Sequence, residues 1–182
     1  MSELELQLRP LTVDDLALAA EWLARPHVIA GWGDEGEAWC ADTRSELEAG
    51  GPSVYRIAEL GGAPVGLIFY YRVHDYAEYV DEFRDAGLDV PVDAWSMDYL
   101  IGEHRATARG VGSGMIRLAC EELWRTHPDA ATVIVPVHAT NEHSWKALLR
   151  AGFERLPGTY DFEPDIPSHD RQHVICRLDR PC

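Results

Sequence analysis

Apolar and polar positions alternate over residues 6–11, which predicts a short strand ending at Pro10. Thr12-Val13-Asp14-Asp15 has the form of a helix N-cap with an acidic first turn. Leu16, Ala19, Ala20 and Leu23 then recur at helical spacing as far as Arg25-Pro26, which closes the element. Residues 27–39, with Trp32-Gly33-Asp34-Glu35 and Trp39, read as a surface lid, and 42–49 as a second helix stopped by Gly50-Gly51-Pro52. Strands over 53–59 and 64–72 are joined by a hairpin at Gly61-Gly62. The alternation fails over 73–92, an acidic stretch rich in tyrosine, and resumes as a strand over 93–101. A long amphipathic helix runs to about His127 and meets Pro128; the β-branched strand 131–137 would lie parallel to the one before that helix. Asn141 opens another helix to Arg150, and strands over 153–160 and 172–178 finish the chain.

Composition narrows what such a fold can do. A length of 182 residues with 46% apolar content suits one well-packed domain, residues 1–182. No apolar run approaches a bilayer span and the first residues lack a signal-peptide pattern, so a cytoplasmic protein without a membrane partner is expected. Cys40, Cys120, Cys176 and Cys182 are scattered, which argues against zinc and against a disulfide framework; no metal is expected. A formal charge of −15 repels nucleic acid and would attract a cation. A monomer and a homodimer are both compatible with these features.

The most informative stretch is Thr107-Ala108-Arg109-Gly110-Val111-Gly112-Ser113-Gly114, which runs directly into the long helix. Glycines let a ligand approach the backbone, and first-turn amides beside the positive end of a helix dipole seat an anion, best a phosphate or pyrophosphate. By itself the pattern is equally a plain strand-to-helix turn.

The order of elements, this turn, Asn141 and Ala151-Gly152-Phe153 together resemble the GNAT superfamily of acetyl-CoA-dependent N-acyltransferases over essentially the whole chain. The resemblance implies an α/β (α+β) fold: a mixed, mostly antiparallel sheet flanked by helices, with a splay between the two strands around the acyl-CoA turn. It implies acetyl-CoA as co-substrate, held by Arg109, Gly110, Val111, Gly112, Ser113 and Gly114 at its pyrophosphate. Asn141 would hold the pantetheine arm, beyond its ordinary role as an N-cap, and amides near Leu100 and Ile101 would face the thioester. Thr107 stands where the family has Gln or Arg, and Leu148 where it often has a tyrosine that protonates the departing thiolate.

Within the superfamily, Leu8-Arg9-Pro10-Leu11, Glu21-Trp22-Leu23, Trp32-Gly33 and Asp98 are similar to aminoglycoside 6'-N-acetyltransferases, which implies acetylation of a small cationic amine, an aminoglycoside, and resistance to it. Siderophore-type N-acyltransferases, which acylate a hydroxylysine-like amine, share much of the pattern. A non-catalytic protein that binds acyl-CoA or a cationic drug is a third reading.

Any such transfer needs a neutral amine, and alkylamines are mostly protonated at neutral pH, so a carboxylate or histidine must draw in the ammonium and take its proton. Asp98 is the candidate, its alternative being a structural ion pair, and His138 is a second possible base. Asp75, Glu78, Asp81, Glu82, Asp85, Asp89 and Asp93 would form a funnel for a polycation, with Tyr76 and Tyr79 offering flat faces to sugar rings; a solvated acidic helix is the plainer reading. Trp32 and Trp39 would stack on substrate or anchor a loop.

Overall fold

The computed structural model describes residues 5–107, 110–164 and 166–181. Its strands are β1 (Leu6–Pro10), β2 (Val54–Leu60), β3 (Ala63–Arg72), β4 (Ala94–Ile101), β5 (Thr132–His138), β6 (Glu154–Arg155), β7 (Tyr160–Asp161) and β8 (Gln172–Asp179). Its helices are α1 (Leu16–Leu23), α2 (Pro26–Trp32), α3 (Gly36–Ala49), α4 (Ala77–Asp85), α5 (Val111–Thr126) and α6 (Glu142–Arg150). The strands form one sheet in the order β1-β2-β3-β4-β5-β8-β6, with β7 pairing to β8.

Every pairing is antiparallel except β4 with β5, which is parallel. β3 and β4 stay in register from Arg72↔Trp95 to Gly66↔Ile101, whereas β4 meets β5 only at Ala94↔Thr132 and Trp95↔Val133. Beyond Trp95 the two strands part, and the mixed, splayed sheet read from the sequence is present.

Strand alternation sorts the core. On one face Ile68, Tyr70, Trp95, Met97, Val133, Val135 and Cys176 pack under α5 and α6. On the other, Leu16, Trp22, Tyr55, Ile57, Leu67 and Leu100 form a cluster with α1 to α3, while Val73, Phe83, Ala94, Ile134 and Ile175 form a separate one under α4.

Three elements differ from the sequence reading. Arg25-Pro26 closes α1 as read, with Arg25 extended, but Pro26 also opens α2, in whose first turn its missing N–H is not needed. The stretch read as a lid is therefore α2 and the start of α3, and Trp32 and Trp39 are half-buried against the core. α3 begins at Gly36 because α1 crosses close by: a Cβ there would stand 2.8 Å from Leu23 Cβ. The strand read over 153–160 is broken by Pro157-Gly158, with Gly158 at φ 84°, into the short β6 and β7.

The loop between β1 and α1 is tied by Arg9, which donates to both carboxylate oxygens of Asp15 at 2.8 Å and to Glu59 at 2.8 Å. Hydrogen bonds from Arg9 hold the Asp15 carboxyl down at about 2, against a partial opposing push from burial. A carboxyl lowered on folding adds stability above its unfolded value and loses it as the pH falls through the folded one. Unfolding free energy should accordingly drop by up to about 2 kcal/mol between roughly pH 4 and pH 2 from this residue. Denaturant titrations across that window should show Asp15→Asn less stable at neutral pH, with the gap closing in acid; a gap constant with pH would refute the assignment.

Candidate active site

Between the two clusters on the α1–α4 face lies a polar strip. Asp98 follows Ser96 by two residues on β4, so both project to that face, and Phe69 and Tyr71 of β3 project beside them. The Tyr71 hydroxyl donates to Asp98 Oδ2 at 3.1 Å. Burial first, and then the Asp98 charge, push the Tyr71 phenol well above its ordinary value. The same two causes push Tyr79 up to about 12, so both phenols remain neutral donors around Asp98 at physiological pH.

Tyr71, Tyr76 and Tyr79 contact one another with ring centroids 5.3–5.4 Å apart. Tyr76 is fixed by Ser53, at 2.6 Å between hydroxyls, and Ser53 and Tyr55 in turn donate to Glu46 at 2.8 and 2.6 Å. Burial opposes the Glu46 charge, yet these hydrogen bonds win and hold its carboxyl below the ordinary range. From Tyr71 the aromatic surface continues through Phe69, at 6.0 Å, to Trp32, at 6.1 Å from Phe69. Trp32 is lining and anchor at once, since its Nε1 donates to the Tyr99 carbonyl at 3.0 Å.

The acidic stretch is largely α4. Val80 and Phe83 turn inward, and Asp75, Glu78, Asp81, Glu82, Asp85 and Asp89 are exposed around them. Asp81 pairs with Arg84 at 2.8 Å, both well exposed, so the negative field of the helix is only slightly offset. Tyr76 and Tyr79 lie between those carboxylates and Tyr71, which hydrogen-bonds Asp98.

On the opposite side of the splay, α5 begins at Gly110, whose φ of 77° suits glycine. The first intrahelical bond at this end is from Gly114 N to the Gly110 carbonyl, so the amides of Val111, Gly112 and Ser113 precede the helical ladder. A Cβ on Gly114 would stand 2.7 Å from Leu6 Cδ2, whereas one on Gly112 would meet only Ala147 Cβ at 3.7 Å. Packing explains Gly114; at 112 a Cβ would make only an ordinary contact among the described residues. Arg109 lies outside the described residues.

Asn141 caps α6, its Oδ1 accepting from Ser144 N at 3.3 Å, and its amide nitrogen lies 3.3 Å from where a Cβ on Gly31 would stand. α2 thus approaches the start of α6 across the gap between β4 and β5. The end of β4 has no strand neighbour on that side, and α1 and α2 supply partners: Trp32 to Tyr99 O, His27 Nε2 with Ile101 O at 3.0 Å, and Arg25 to Gly102 O at 2.8 Å. The backbone of Ile101 therefore turns to the gap, whereas that of Leu100, expected there too, turns to β3 because alternate residues of a strand face opposite neighbours, and its side chain is buried with α1 to α3. Leu148 is fully buried.

Both ring nitrogens of His138 are engaged within the chain. Its Nε2 meets Asp170 O at 3.1 Å and Asp170 Oδ1 at 3.2 Å, two acceptors that require a proton on that nitrogen, and Nδ1 lies 2.8 Å from Thr140 Oγ1. Tyr71, Glu46 and Ser53 were not reached by sequence reasoning. Tyr71 could have been found from the alternation Phe69-Tyr70-Tyr71 had the register opposite Asp98 been known.

A family model described as an acetyltransferase (GNAT) domain matches residues 12–160. The chain is 29% identical over 170 residues to the aminoglycoside N(6')-acetyltransferase type 1 of Klebsiella pneumoniae, covering 88% of this chain and 79% of that protein. Its fold is similar to the crystal structure of the aminoglycoside acetyltransferase AAC(6')-Ib in complex with coenzyme A and kanamycin, with a TM-score of 0.80 at 22% identity over 97% of this chain and 95% of that one. The same holds for that enzyme with ribostamycin and coenzyme A, with a TM-score of 0.78 at 24% identity over 97% and 94%.

Proposed function

The chain belongs to the GNAT acetyltransferase family, and we propose that it transfers the acetyl group of acetyl-CoA to an aminoglycoside, with the 6'-amino group as the favoured acceptor. The observation that carries this reading is the position of Asp98, hydrogen-bonded to Tyr71 within the group of Tyr71, Tyr76 and Tyr79 beside the acidic α4, three residues past the last pairing of β4 with β5. The relative from Klebsiella pneumoniae, named for the same activity, supports it. Residues 1–182 act as one catalytic domain in the cytoplasm, as a monomer or homodimer, with no nucleic acid or membrane involved. No helix among the described residues is long and apolar enough to cross a membrane.

In this reading the amides of Val111, Gly112 and Ser113, with Gly110 shaping the turn and Arg109 adding charge, hold the pyrophosphate of acetyl-CoA; the Gly114 amide, expected from the sequence to join them, is taken by the Gly110 carbonyl. Asn141 holds the pantetheine arm, and the backbone of Ile101 faces the thioester. α4, through Asp81, Glu82 and their neighbours, concentrates the polycation, and Trp32, Tyr76 and Tyr79 pack against its sugar rings. Asp98 pairs with the reacting ammonium and accepts its proton, and the neutral amine attacks the carbonyl carbon directly. Positioning and polarisation supply the acceleration, so no covalent enzyme intermediate is required.

Thiol release from acetyl-CoA with three acceptors tests this. A kanamycin-like aminoglycoside should give turnover well above that with N6-hydroxylysine or with no acceptor. Preference for hydroxylysine would make the protein a siderophore-type acyltransferase, and tight binding of both ligands without release would make it a binding protein.

A further inference from the structure

Acetyl transfer as proposed above expels a thiolate, and every group described around Asp98 lies on the acceptor side of the sheet. Tyr99 is the next residue on β4, so its side chain projects to the opposite face, toward α5 and α6. It lies four positions beyond Trp95, the last residue paired with β5, and therefore in the opening between the strands. Its ring packs against the cluster that contains Met115, Val135 and Leu148, and its hydroxyl reaches the first turn of α6, 2.8 Å from Ser144 Oγ and 3.2 Å from the Ser144 carbonyl. Leu148 sits four residues after Ser144, one helical turn along the same face, and offers no hydroxyl.

Trp32 fixes the Tyr99 carbonyl from one side and pairing with Ile68 fixes the strand from the other. The contact between the Tyr99 and Ser144 hydroxyls can run in either direction. When Ser144 Oγ donates, the Tyr99 hydrogen points to the Ser144 carbonyl at 3.2 Å, a long contact from which the hydroxyl can turn to a better acceptor in the opening.

We propose that the Tyr99 hydroxyl donates a hydrogen bond to the departing sulfur of acetyl-CoA, with the Ser144 hydroxyl supporting it from behind. Consecutive residues of β4 would then serve the two halves of the reaction, Asp98 the nucleophile on one face and Tyr99 the leaving group on the other. As the C–N bond forms and the C–S bond breaks, the C–S electron pair goes to sulfur, where Tyr99 stabilises it. Nitrogen loses two protons in all: the ammonium proton goes to Asp98 and on to water before attack, the second follows the same route as the C–N bond forms, and the sulfur takes one proton from water as coenzyme A leaves. Burial holds the Tyr99 phenol well above its ordinary value, which keeps it a neutral donor throughout.

This inference rests on the acetyl-transfer reading, and the test separates the two. In the full chain, Tyr99→Phe should lower kcat for a kanamycin-like aminoglycoside by about 10- to 100-fold with little change in KM for acetyl-CoA; Ser144→Ala should show a smaller fall. Independently of turnover, the thiolate absorbance of bound coenzyme A should titrate below the usual thiol value of about 8.5 and move up by about one unit in Tyr99→Phe. Unchanged kcat and an unchanged bound-thiol titration would overturn the assignment. If thermal melts show Tyr99→Phe misfolded, the same upward shift, smaller, is expected in Ser144→Ala, and its absence would be equally decisive. Failure of the wild type to release thiol with any amine counts against the transfer reading alone, because the titration of bound coenzyme A still reports on Tyr99.

Discussion

Asp98→Asn should lower kcat/KM for the aminoglycoside by about 100- to 1000-fold while leaving the melting temperature within a few degrees of the wild type. The amide keeps the size of the carboxylate, and its oxygen can still accept the 3.1 Å hydrogen bond from Tyr71. Asp98 is half-buried at a polar strip between two apolar clusters, so loss of its charge removes a desolvated anion rather than a core contact. What disappears is the attraction for an ammonium and the acceptor for its proton. The variant should recover part of its rate as the pH is raised and the free amine becomes abundant, a dependence steeper than that of the wild type. Activity equal to the wild type at neutral pH would take Asp98 out of the mechanism.

A carboxylate placed in the donor seat should separate binding from folding. Gly112→Asp is expected to weaken coenzyme A binding by about 30- to 100-fold, by like charge against the pyrophosphate, with partial relief at high salt. The same change should leave folding intact or raise stability slightly, because an acidic residue in the first turn of α5 complements the helix dipole. Gly112→Ala is the control: its Cβ would meet Ala147 Cβ at an ordinary 3.7 Å, and affinity should change by no more than about threefold. Calorimetry with coenzyme A reads both. Equal affinities for all three proteins would place the phosphates elsewhere.

The parts of this molecule that were legible in its sequence are those governed by local rules. The Gly61-Gly62 hairpin, the alternating strand that carries Asp98, the glycine turn before α5 and the β-branched β5 each follow from backbone geometry or a clean hydrophobic period. Where a residue type has two local meanings, tertiary packing decided. Pro26 can end a helix or begin one, and its place in α2 depends on side chains that α1 and α2 send to the unpaired end of β4. Gly36 reads as a loop residue until its approach to Leu23 is seen.

The site follows the same division. Asp98, Tyr76 and Tyr79 stood out as a carboxylate on a strand and aromatics in an acidic stretch. Tyr71, Ser144 and Glu46 did not, because their roles come from partners 27, 45 and 9 positions away in the chain. His138 looked like a spare base only while its contact with Asp170 was unknown.

In the proposed mechanism the acetyl group passes directly between two ligands held on either side of the splay. The most direct test is a single-turnover reaction with acetyl-labelled acetyl-CoA and a kanamycin-like aminoglycoside, quenched and followed by nuclear magnetic resonance of the sugar and mass spectrometry of the protein. One acetyl group on the 6'-amine for each coenzyme A released, with none on the protein at any time, is the expected result. Label retained on the protein before the sugar is acetylated, or thiol release without an acetylated sugar, would contradict it.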